Sequence, residues 1–372
     1  MTDEKEFYMQ RAITLAEKGK GRVNPNPLVG AVVVKDGKII GEGYHEYYGG
    51  LHAERNALKN CKESSEGATL YVTLEPCCHY GKTPPCTEAI LEHRIRKVVV
   101  GMTDPNPLMA GKSIALLKSK GVEVEVGVLE KECMELTHIF RKYITTKIPY
   151  ILMKYAMTMD GKIATASGKS KWITGETARM CVQKTRLEYQ AIMVGSETVR
   201  KDDPLLTCRI ANGKDPVRII CDTSLRTSTD SQIVKTARQV RTIFATCEIN
   251  REKIELYQKA GCEVLVVSKK NGKIDLKELV QKIGALGIDS ILVEGGGTLN
   301  ASALEAQIVD RVQTYIAPKI FGGTGIGPVG GMGVDEPADA YQLVNSRLKQ
   351  IGEDFLIESD AVSYTHLRAH ET

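Results

Sequence analysis

Apolar runs of strand length are spaced along the first third of the chain. Residues 28–34 predict a buried strand, and Asp36 and Gly37 predict a hairpin turn that leads into a second strand. Residues 69–74 and 97–101 predict two more strands. The strands of this region are therefore expected to form one sheet.

Helical patterns lie between and beside these strands. Residues 52–58 and 86–91 predict two helices, and residues 1–19 predict an amphipathic helix before the first strand. Residues 129–143 predict one further helix, and a short connection follows at 147–149. Strands that alternate with helices predict a layered α/β domain that ends near this connection.

The second part of the chain repeats the alternation. Strands are predicted at residues 150–156, 191–195, 217–222, 243–246, 264–267 and 290–294. Helical patterns separate several of these runs, so we expect an open, mostly parallel sheet with helices on its faces.

A glycine-rich turn follows the last of these runs. Residues 294–298 read Glu-Gly-Gly-Gly-Thr and lead into a helix near Leu299. Ligands of open α/β sheets bind beyond the carboxyl ends of strands, and a helix N-terminus offers free amides to an anion. The turn differs from the Gly-x-Gly-x-x-Gly pattern, so the residues alone leave a phosphate site and a tight turn without a ligand equally open.

Length and composition then set the domain count and exclude several classes of protein. A chain of 372 residues suits two domains, which we predict at 1–146 and 147–360. Residues 361–372 continue no pattern, and we expect them to be a non-native tail. The net charge of +4 is slight and no basic tract carries interleaved aromatics, so no nucleic-acid partner is expected.

Two further features concern the compartment. No apolar run approaches the length of a membrane helix, so no membrane partner is expected. The ten cysteines are scattered rather than spaced as a disulfide framework. Reduced cysteines indicate a cytoplasmic protein.

The most specific chemical pattern combines one histidine, two cysteines and a glutamate. His52 and Glu54 are followed by Pro76 and Cys77 and, nine positions later, by Cys86. One imidazole and two thiolates are three Zn²⁺ ligands, which leave a fourth position for water. Glu54 is then available to carry protons. The order of these residues is the signature of zinc deaminases.

Other interpretations of this pattern stay open. Cys78 and His79 are rival ligands, but neighbouring cysteines rarely reach one metal ion, so Cys77 is preferred. A structural zinc site in a non-enzymatic scaffold is another alternative, although such a site has no use for Glu54.

Three segments carry a family resemblance. Residues 76–86 read Pro-Cys-Cys-His-x-Gly-x-Thr-Pro-Pro-Cys, residues 24–30 read Asn-Pro-Asn-Pro-Leu-Val-Gly, and residues 104–107 read Asp-Pro-Asn-Pro. They resemble the deaminase half of the bifunctional riboflavin-biosynthesis deaminase/reductase family. The resemblance implies a cytidine-deaminase-like, three-layer α/β domain.

The same resemblance implies residues that contact the deaminase substrate, a pyrimidinone bearing a ribose phosphate. They are Asn26, His45, His79, Lys82, Asp104 and Asn106. His79 and Lys82 supply positive charge for the phosphate, although a solvated loop is their alternative interpretation. The amide and carboxylate groups of Asn26, Asp104 and Asn106 suit ring or sugar groups.

The second domain resembles the reductase half of that family, in residues 154–164, 170–174, 202–209 and 293–298. This implies a dihydrofolate-reductase-like, mostly parallel sheet that uses NADPH. The implied cofactor residues are Ala156, Trp172, Thr198, Asp202, Gly296, Gly297, Thr298, Leu299 and Asn300. The implied substrate residues are Ser170, Arg186, Leu206, Arg209 and Glu294. Both arginines suit a phosphate, because a guanidinium matches its oxygens.

Taken together, these features predict an enzyme for two successive steps of riboflavin biosynthesis. Zinc-dependent hydrolytic deamination of 2,5-diamino-6-ribosylamino-4(3H)-pyrimidinone 5′-phosphate would precede NADPH-dependent reduction of the ribosyl group to ribityl. The alternative is a different nucleobase or nucleoside deaminase fused to an inactive reductase-like domain. The resemblance also favours a homo-oligomer, and it is imperfect at Gln183 and Gln190, where the family usually has histidine and aspartate.

Overall fold

The computed structural model describes residues 4–362, and the chain divides into two compact units. The N-terminal unit ends at Lys147, and the C-terminal unit begins at Ile148. Each unit contains its own sheet and its own buried apolar clusters.

The N-terminal unit alternates strands with helices. Its elements are α1 Glu4–Ala16, β1 Gly30–Lys35, β2 Lys38–Tyr44, α2 Ala53–Lys59, β3 Thr69–Leu74, α3 Cys86–Glu92, β4 Lys97–Met102, α4 Lys112–Ser119, β5 Glu123–Val126, α5 Glu130–Leu136 and α6 His138–Thr146, with a 3₁₀ turn at Glu17–Gly19. The strand order is β2-β1-β3-β4-β5. β1 is antiparallel to β2 and β3, whereas β3, β4 and β5 are parallel.

Two glycines let helices approach this sheet closely. A Cβ atom at Gly30 would lie 1.9 Å from the carbonyl oxygen of Ala12 in α1. A Cβ atom at Gly43 would lie 2.3 Å from the backbone nitrogen of Ala57 in α2. Only glycine fits at such an approach. The fit of α2 against β2 matters for function, because α2 begins directly after His52.

The C-terminal unit has a larger sheet. Its elements are β6 Tyr150–Thr158, α7 Glu176–Glu188, β7 Ala191–Gly195, α8 Ser196–Asp202, β8 Val217–Cys221, α9 Gln232–Lys235, β9 Thr242–Thr246, α10 Arg251–Lys259, β10 Glu263–Val266, β11 Lys269–Lys270, β12 Lys273–Ile274, α11 Leu276–Ala285, β13 Ser290–Val293, α12 Gly297–Glu305, β14 Arg311–Ala317, β15 Leu343–Ile351 and β16 Asp354–Ala361, with a 3₁₀ turn at Pro337–Asp339. β11 and β12 form a separate small hairpin.

The main sheet has the order β10-β9-β8-β7-β13-β6-β14-β16-β15. It is parallel from β10 to β14, and β16 and β15 extend it in antiparallel pairing. In β7, Ala191 and Met193 join one apolar cluster while Ile192 and Val194 join another. Alternate side chains are thus buried on opposite faces, which explains why the strands are continuous apolar runs.

Most predicted strands and helices are confirmed, but the single helix predicted at 129–143 is wrong. The segment forms α5 and α6, which meet at Thr137 with φ −107° and ψ 16°. The Thr137 hydroxyl donates to the carbonyl oxygen of Cys133 at 2.9 Å. A hydroxyl that bonds the backbone in this way competes with regular helix hydrogen bonding. Asp202, the first residue of the resembling segment 202–209, is the last residue of α8.

The predicted tail falls largely outside the described residues. Ala361 ends β16, and the Val362 amide donates to the carbonyl oxygen of Gln342 at 3.2 Å. Residues 363–372 are not among those that the structure describes. Within residues 4–362, no helix is both long and apolar enough to cross a bilayer.

Candidate active sites

His52, Cys77 and Cys86 come together although they lie on separate elements. His52 directly precedes α2, Cys77 follows β3, and Cys86 is the first residue of α3. His52 Nδ1 lies 3.4 Å from Cys77 Sγ and 3.4 Å from Cys86 Sγ. Tetrahedral zinc with usual bond lengths places such nitrogen and sulfur atoms about 3.6 Å apart. The donor set therefore fits a zinc ion.

The rival ligand Cys78 is outside this group. Within the described part of the chain, His52, Cys77 and Cys86 form the cluster of metal-binding type. The Cys86 backbone amide, at the open start of α3, donates to Cys77 Sγ at 3.3 Å. Hydrogen bonds from Cys86 and from the nearby His52 lower the pKa of the Cys77 thiol to about 4. A thiolate is the form that binds a metal.

Glu54 lies in the first turn of α2, two residues after His52, and is 3% exposed. Burial raises the pKa of its carboxyl, and the charge of Cys77 raises it further. A raised pKa suits a carboxyl group that must both take up and release protons. Glu54 and His52 line the same cavity, so the carboxyl group faces the space beside the metal ligands.

That cavity has a volume of about 320 Å³. All of the predicted deaminase substrate residues line it together with His52, Glu54 and Cys77: Asn26, His45, His79, Lys82, Asp104 and Asn106. Segments far apart in sequence thus reach one space, but their contacts with a substrate stay a prediction.

The hydrogen bonds of His45 fix its form. Its Nδ1 lies 3.0 Å from the carbonyl oxygen of Leu51, so this nitrogen carries the proton. Its Nε2 lies 3.1 Å from Asn26 Nδ2 and accepts from that amide. Burial lowers the pKa of the His45 imidazole, which agrees with a neutral ring. Asn26 is thereby oriented, and its Oδ1 takes part in none of the described hydrogen bonds.

An aromatic ring contacts the positively charged side chain of Lys82 at the cavity. Lys82 Nζ lies 3.8 Å from the centroid of the Tyr48 ring, within cation–π range. Both residues and His79 line the cavity. The ring holds the ammonium group at the cavity, where an anionic part of a ligand would meet it.

In the C-terminal unit, Glu294 directly follows β13 and joins two cations. Arg186 Nε and Nη2 donate to its two carboxylate oxygens at 2.7 and 3.0 Å, and Lys154 Nζ lies 3.3 Å from Oε2. Burial would raise the pKa of the Glu294 carboxyl, but Lys154 and Arg186 outweigh it and lower that pKa to about 2. Glu294 is therefore ionised near neutral pH.

Arg186 also contacts the segment that follows α8. Its Nη1 donates to the carbonyl oxygen of Thr207 at 3.0 Å, so the guanidinium joins the 203–209 segment to Glu294. The predicted role of Arg186 as a phosphate clamp stays untested, and its charge is already matched by a carboxylate. Arg209 is exposed, and its backbone amide donates to Gln183 Oε1 at 2.9 Å.

The glycine turn before α12 has the features of an anion cradle. A Cβ atom at Gly297 would lie 3.2 Å from both Gly327 O and Gly330 N, so a side chain there would be crowded by the backbone of the 327–330 segment. None of the described side chains caps α12. Asn300 is 1% exposed, and its Oδ1 has no hydrogen-bond partner among the described residues. The free amides fit a phosphate of a cofactor such as NADPH, and the unpartnered Asn300 oxygen would accept a hydrogen bond from a hydroxyl or amide group of that cofactor.

The remaining predicted residues are spread around the carboxyl ends of the strands. Thr198 Oγ1 accepts from the Gly296 amide at 3.3 Å, which joins α8 to the glycine turn. Trp172 is 59% exposed and stacks with the Arg179 guanidinium at 4.8 Å. The side chains of Leu206 and Leu299 belong to the apolar clusters, so any ligand contact there falls to the backbone. Ala156 lies in β6, and Ser170 and Asp202 make no described side-chain hydrogen bond.

Comparison with known proteins gives two matches to family models. Residues 2–102 match the cytidine and deoxycytidylate deaminase zinc-binding region, and residues 149–357 match the RibD C-terminal domain. The riboflavin biosynthesis protein RibD of Actinobacillus pleuropneumoniae is 54% identical over 96% of this chain and 95% of that protein. The RibD protein of Escherichia coli K12 is 40% identical over 94% of this chain and 97% of its own length.

The chain belongs to the RibD family. Solved structures agree. RibD of Acinetobacter baumannii has a TM-score of 0.86 and 35% identity, with 97% of this chain and 99% of that chain covered. A diaminohydroxyphosphoribosylaminopyrimidine deaminase / 5-amino-6-(5-phosphoribosylamino)uracil reductase from Thermotoga maritima has a TM-score of 0.85 and 40% identity, with 96% and 99% covered.

Membership of the RibD family confirms the predicted fold class and the bifunctional activity. The N-terminal unit is a zinc-dependent deaminase and the C-terminal unit an NADPH-dependent reductase of riboflavin biosynthesis. A different deaminase fused to an inactive reductase-like domain is not favoured, because both halves match RibD proteins along nearly their whole length.

Sequence reasoning missed two side chains at these sites. Lys154 contacts Glu294 from β6, and Glu75 lies between β3 and Cys77 with its carboxylate engaged by the segment before α4. A lysine inside a predicted buried strand indicates a nearby carboxylate, because an unpaired ammonium group rarely lies in a buried strand. Glu75 gave no such signal, because all of its partners except the Ser113 hydroxyl are backbone amides.

Proposed function

We propose that the N-terminal unit deaminates 2,5-diamino-6-ribosylamino-4(3H)-pyrimidinone 5′-phosphate at the cavity beside His52. The observation that supports this proposal most directly is the cluster of His52, Cys77 and Cys86. His52 and Cys77 line a cavity that Glu54 also lines. The enzyme name of the Thermotoga maritima structure supports this substrate.

In this proposal His52, Cys77 and Cys86 hold the zinc ion. Zinc bound by three protein ligands makes a water molecule acidic enough to ionise near neutral pH. Glu54 takes a proton from the attacking water at its carboxylate and delivers protons to the ring nitrogen and to departing ammonia. Its burial and raised pKa support this shuttle.

Substrate orientation falls to the residues around the cavity. The oriented Asn26 amide and the carboxylate and amide groups of Asp104 and Asn106 would bond the ring and the sugar. Lys82 and His79 would meet the phosphate. The cation–π contact with Tyr48 supports this role, because it keeps the lysine at the cavity without neutralising its charge.

We propose that the C-terminal unit reduces the ribosyl group of the deaminated product. The glycine turn would hold NADPH, which would supply a hydride to C1′ of the ring-opened imine form of the ribosyl group, and the imine nitrogen would take up a proton. Arg209, exposed and fixed through its own backbone by Gln183, would bind the substrate phosphate. Arg186 would hold Glu294 and the 203–209 segment in place.

The proton for this reduction needs a donor. Asp202 and Glu294 are the acidic groups among the predicted reductase residues, but Glu294 has a pKa of about 2 and carries no proton to give near neutral pH. Two cationic groups contact Glu294 in the described structure, and of these the Lys154 ammonium, whose side chain is only 12% exposed, is a better proton donor than the Arg186 guanidinium. We therefore propose Lys154 Nζ as the donor, with Glu294 orienting it.

We also propose a cytoplasmic homo-oligomer. All ten cysteines are free, which suits a reducing compartment. Leu343, Val344 and Leu348 on the edge strand β15 are exposed, and apolar side chains on an open sheet edge offer a surface that another chain can cover. Sedimentation of the purified protein would decide the state: a monomer at all concentrations would contradict this part of the proposal.

The substitution Glu54→Gln tests the deaminase assignment. The amide has nearly the shape of the carboxylate but cannot carry protons, so ammonia release should fall by at least about 100-fold while zinc content is retained. NADPH oxidation on the supplied deaminated intermediate should persist, because the reductase site is separate.

Glu63→Gln is the matched control, because Glu63 is an exposed glutamate outside the cavity. It should leave both activities unchanged. Ammonia release near the wild-type rate in the Glu54→Gln variant would reject Glu54 as the proton carrier.

A further inference from the structure

Glu75 is a buried carboxylate with an unusual set of partners. It lies between β3 and Cys77 and is 5% exposed. Its Oε2 accepts from the backbone amides of Asp104 at 3.1 Å and Gly111 at 2.9 Å. Its Oε1 accepts from the amide and hydroxyl of Ser113 at 3.1 and 2.8 Å and from the Ile114 amide at 3.4 Å. None of the described ion pairs includes Glu75.

The negative charge is matched by a helix start instead of a cation. Gly111, Ser113 and Ile114 supply amides at the N-terminus of α4, where backbone N–H groups have no partner inside the helix. The helix dipole also favours an anion there. The carboxylate therefore replaces a side-chain cap that α4 does not have.

The same carboxylate fixes the segment that carries two predicted substrate residues. The bond from the Asp104 amide is the first step. Asp104 Oδ1 then accepts from the Asn106 amide at 2.8 Å, and Asn106 Oδ1 accepts from the Leu108 amide at 3.1 Å. These bonds leave Asp104 Oδ2 and Asn106 Nδ2 outside the described hydrogen bonds, and both side chains line the cavity.

The backbone of Glu75 joins this segment to the metal ligands. Its amide donates to the carbonyl oxygen of Met102, the last residue of β4, at 2.9 Å. Only Pro76 separates it from Cys77. One residue thus connects a metal ligand, the end of β4 and the start of α4.

We propose that Glu75 is a positioning residue for deamination, which sets Asp104 and Asn106 at a fixed place relative to Cys77. The proposal rests on the substrate roles proposed above for Asp104 and Asn106. It assigns no proton transfer and no substrate contact to Glu75, because both of its oxygens are occupied by the protein.

Glu75→Gln is the sharpest test. A glutamine offers one acceptor oxygen, and its NH₂ group would point at backbone N–H groups that also donate. At least the Asp104 and Gly111 bonds or the Ser113 and Ile114 bonds must then be lost. We expect KM for the deaminase substrate to rise about tenfold or more, with a smaller change in kcat.

Two measurements distinguish a positioning role of Glu75 from a general loss of protein structure. Zinc content and NADPH oxidation on supplied deaminated intermediate should match those of the wild type, because neither depends on the 104–111 segment. Glu66→Gln, an exposed glutamate paired with Arg94, is the matched control and should change nothing. Loss of zinc in the Glu75→Gln variant would overturn the proposal in favour of a metal-scaffold role.

Ser113→Ala keeps the inference testable should Glu75→Gln fold poorly. It removes one donor to the carboxylate and leaves the charge in place. We expect a rise in KM of about 2- to 5-fold, in the same direction and smaller. An unchanged KM in a folded Ser113→Ala variant and a kcat/KM within about twofold of wild type for Glu75→Gln would each overturn the proposal.

Asp104→Ala distinguishes this inference from the function on which it rests. A normal kcat/KM in that variant would remove the proposed substrate role of Asp104, and the role of Glu75 with it. A reduced kcat/KM for Asp104→Ala beside a normal one for Glu75→Gln would remove the role of Glu75 alone. When both roles hold, the double variant loses less than the sum of the two single losses.

Discussion

The two units of the chain use buried charges of opposite sign to fix segments that carry predicted site residues. In the deaminase unit, Glu75 gathers backbone amides from the segment before α4. In the reductase unit, Arg218 on β8 is 0% exposed and gathers carbonyl oxygens. It donates to Leu205 O at 3.2 Å, Ile233 O at 3.0 Å and Val240 O at 3.1 Å, and to the hydroxyls of Thr236 and Thr242.

The sign of each charge follows from what the backbone presents. A helix start presents free N–H groups, which need an anion, whereas helix ends and loops present free carbonyl oxygens, which need a donor. Arg218 thereby anchors Leu205, beside Leu206 and within the segment that continues to Arg209. The lesson is that a buried charge without an ionic partner marks a place where a functional segment is fixed.

The two sites differ in how their residues are spread along the chain. The metal ligands and Glu54 lie within residues 52–86, whereas the predicted reductase residues extend from 156 to 300. Loss of one metal ligand should therefore abolish deamination. Loss of one reductase residue should lower the reductase activity less, because many weaker contacts form that site. The predictions below test this contrast.

Removal of a metal ligand should have the largest effect. Cys86→Ser should lower zinc content and reduce ammonia release by at least about 100-fold, because the ligand set then lacks one thiolate. NADPH oxidation on supplied deaminated intermediate should stay at the wild-type rate. Metal analysis and the two separate assays check this.

Cys61→Ser is the matched control, because the Cys61 thiol donates to Ala57 O and is outside the metal cluster. It should retain zinc and both activities. Parallel loss of both activities in Cys86→Ser would show that the sites are not separable.

Removal of the buried cation Arg218 should have the second-largest effect. Arg218→Met leaves the carbonyl oxygens of Leu205, Ile233 and Val240 without that donor, so the free energy of unfolding of the reductase unit should fall by about 3–5 kcal/mol. The only tryptophan of the chain, Trp172, lies in this unit, so its fluorescence in urea reports the transition.

Arg241→Met is the comparison for Arg218. Arg241 forms an exposed ion pair with Glu263, and its loss should change the free energy of unfolding by less than about 1 kcal/mol. Equal effects of the two substitutions would mean that Arg218 contributes no more than a surface arginine.

The smallest effect is expected for Arg209→Ala. KM for the reductase substrate should rise about 10- to 100-fold, because a charged hydrogen-bonding group for the phosphate is lost. Deamination should be unchanged. Arg251→Ala, an exposed arginine at the start of α10, should leave KM unaltered. An unchanged KM for Arg209→Ala would direct the search for the phosphate site elsewhere.

Sequence alone was sufficient where local pattern determines structure. The strand at Thr69–Leu74 and the turn at Asp36 and Gly37 were predicted because apolar runs and positive-φ turn residues are local signals. The cluster of His52, Cys77 and Cys86 was predicted because its chemistry requires those residue types in that order.

The rest could not be predicted because it depends on contacts that form only in the fold. Lys154 and Glu294 lie on neighbouring strands, β6 and the end of β13, although 139 residues separate them in sequence. Glu75 acts on backbone amides, which carry no sequence signal. The break between α5 and α6 falls at Thr137, whose hydroxyl bonds carbonyl oxygens of the preceding turn and so competes with a continuous helical pattern.

X-ray absorption at the zinc edge, on protein whose metal content has been measured, tests the open metal site most directly. The account predicts about one zinc per chain, bound by two sulfurs and one imidazole, with one further light atom that exchanges with solvent. A third sulfur, as Cys78 would provide, or the absence of stoichiometric zinc would contradict it.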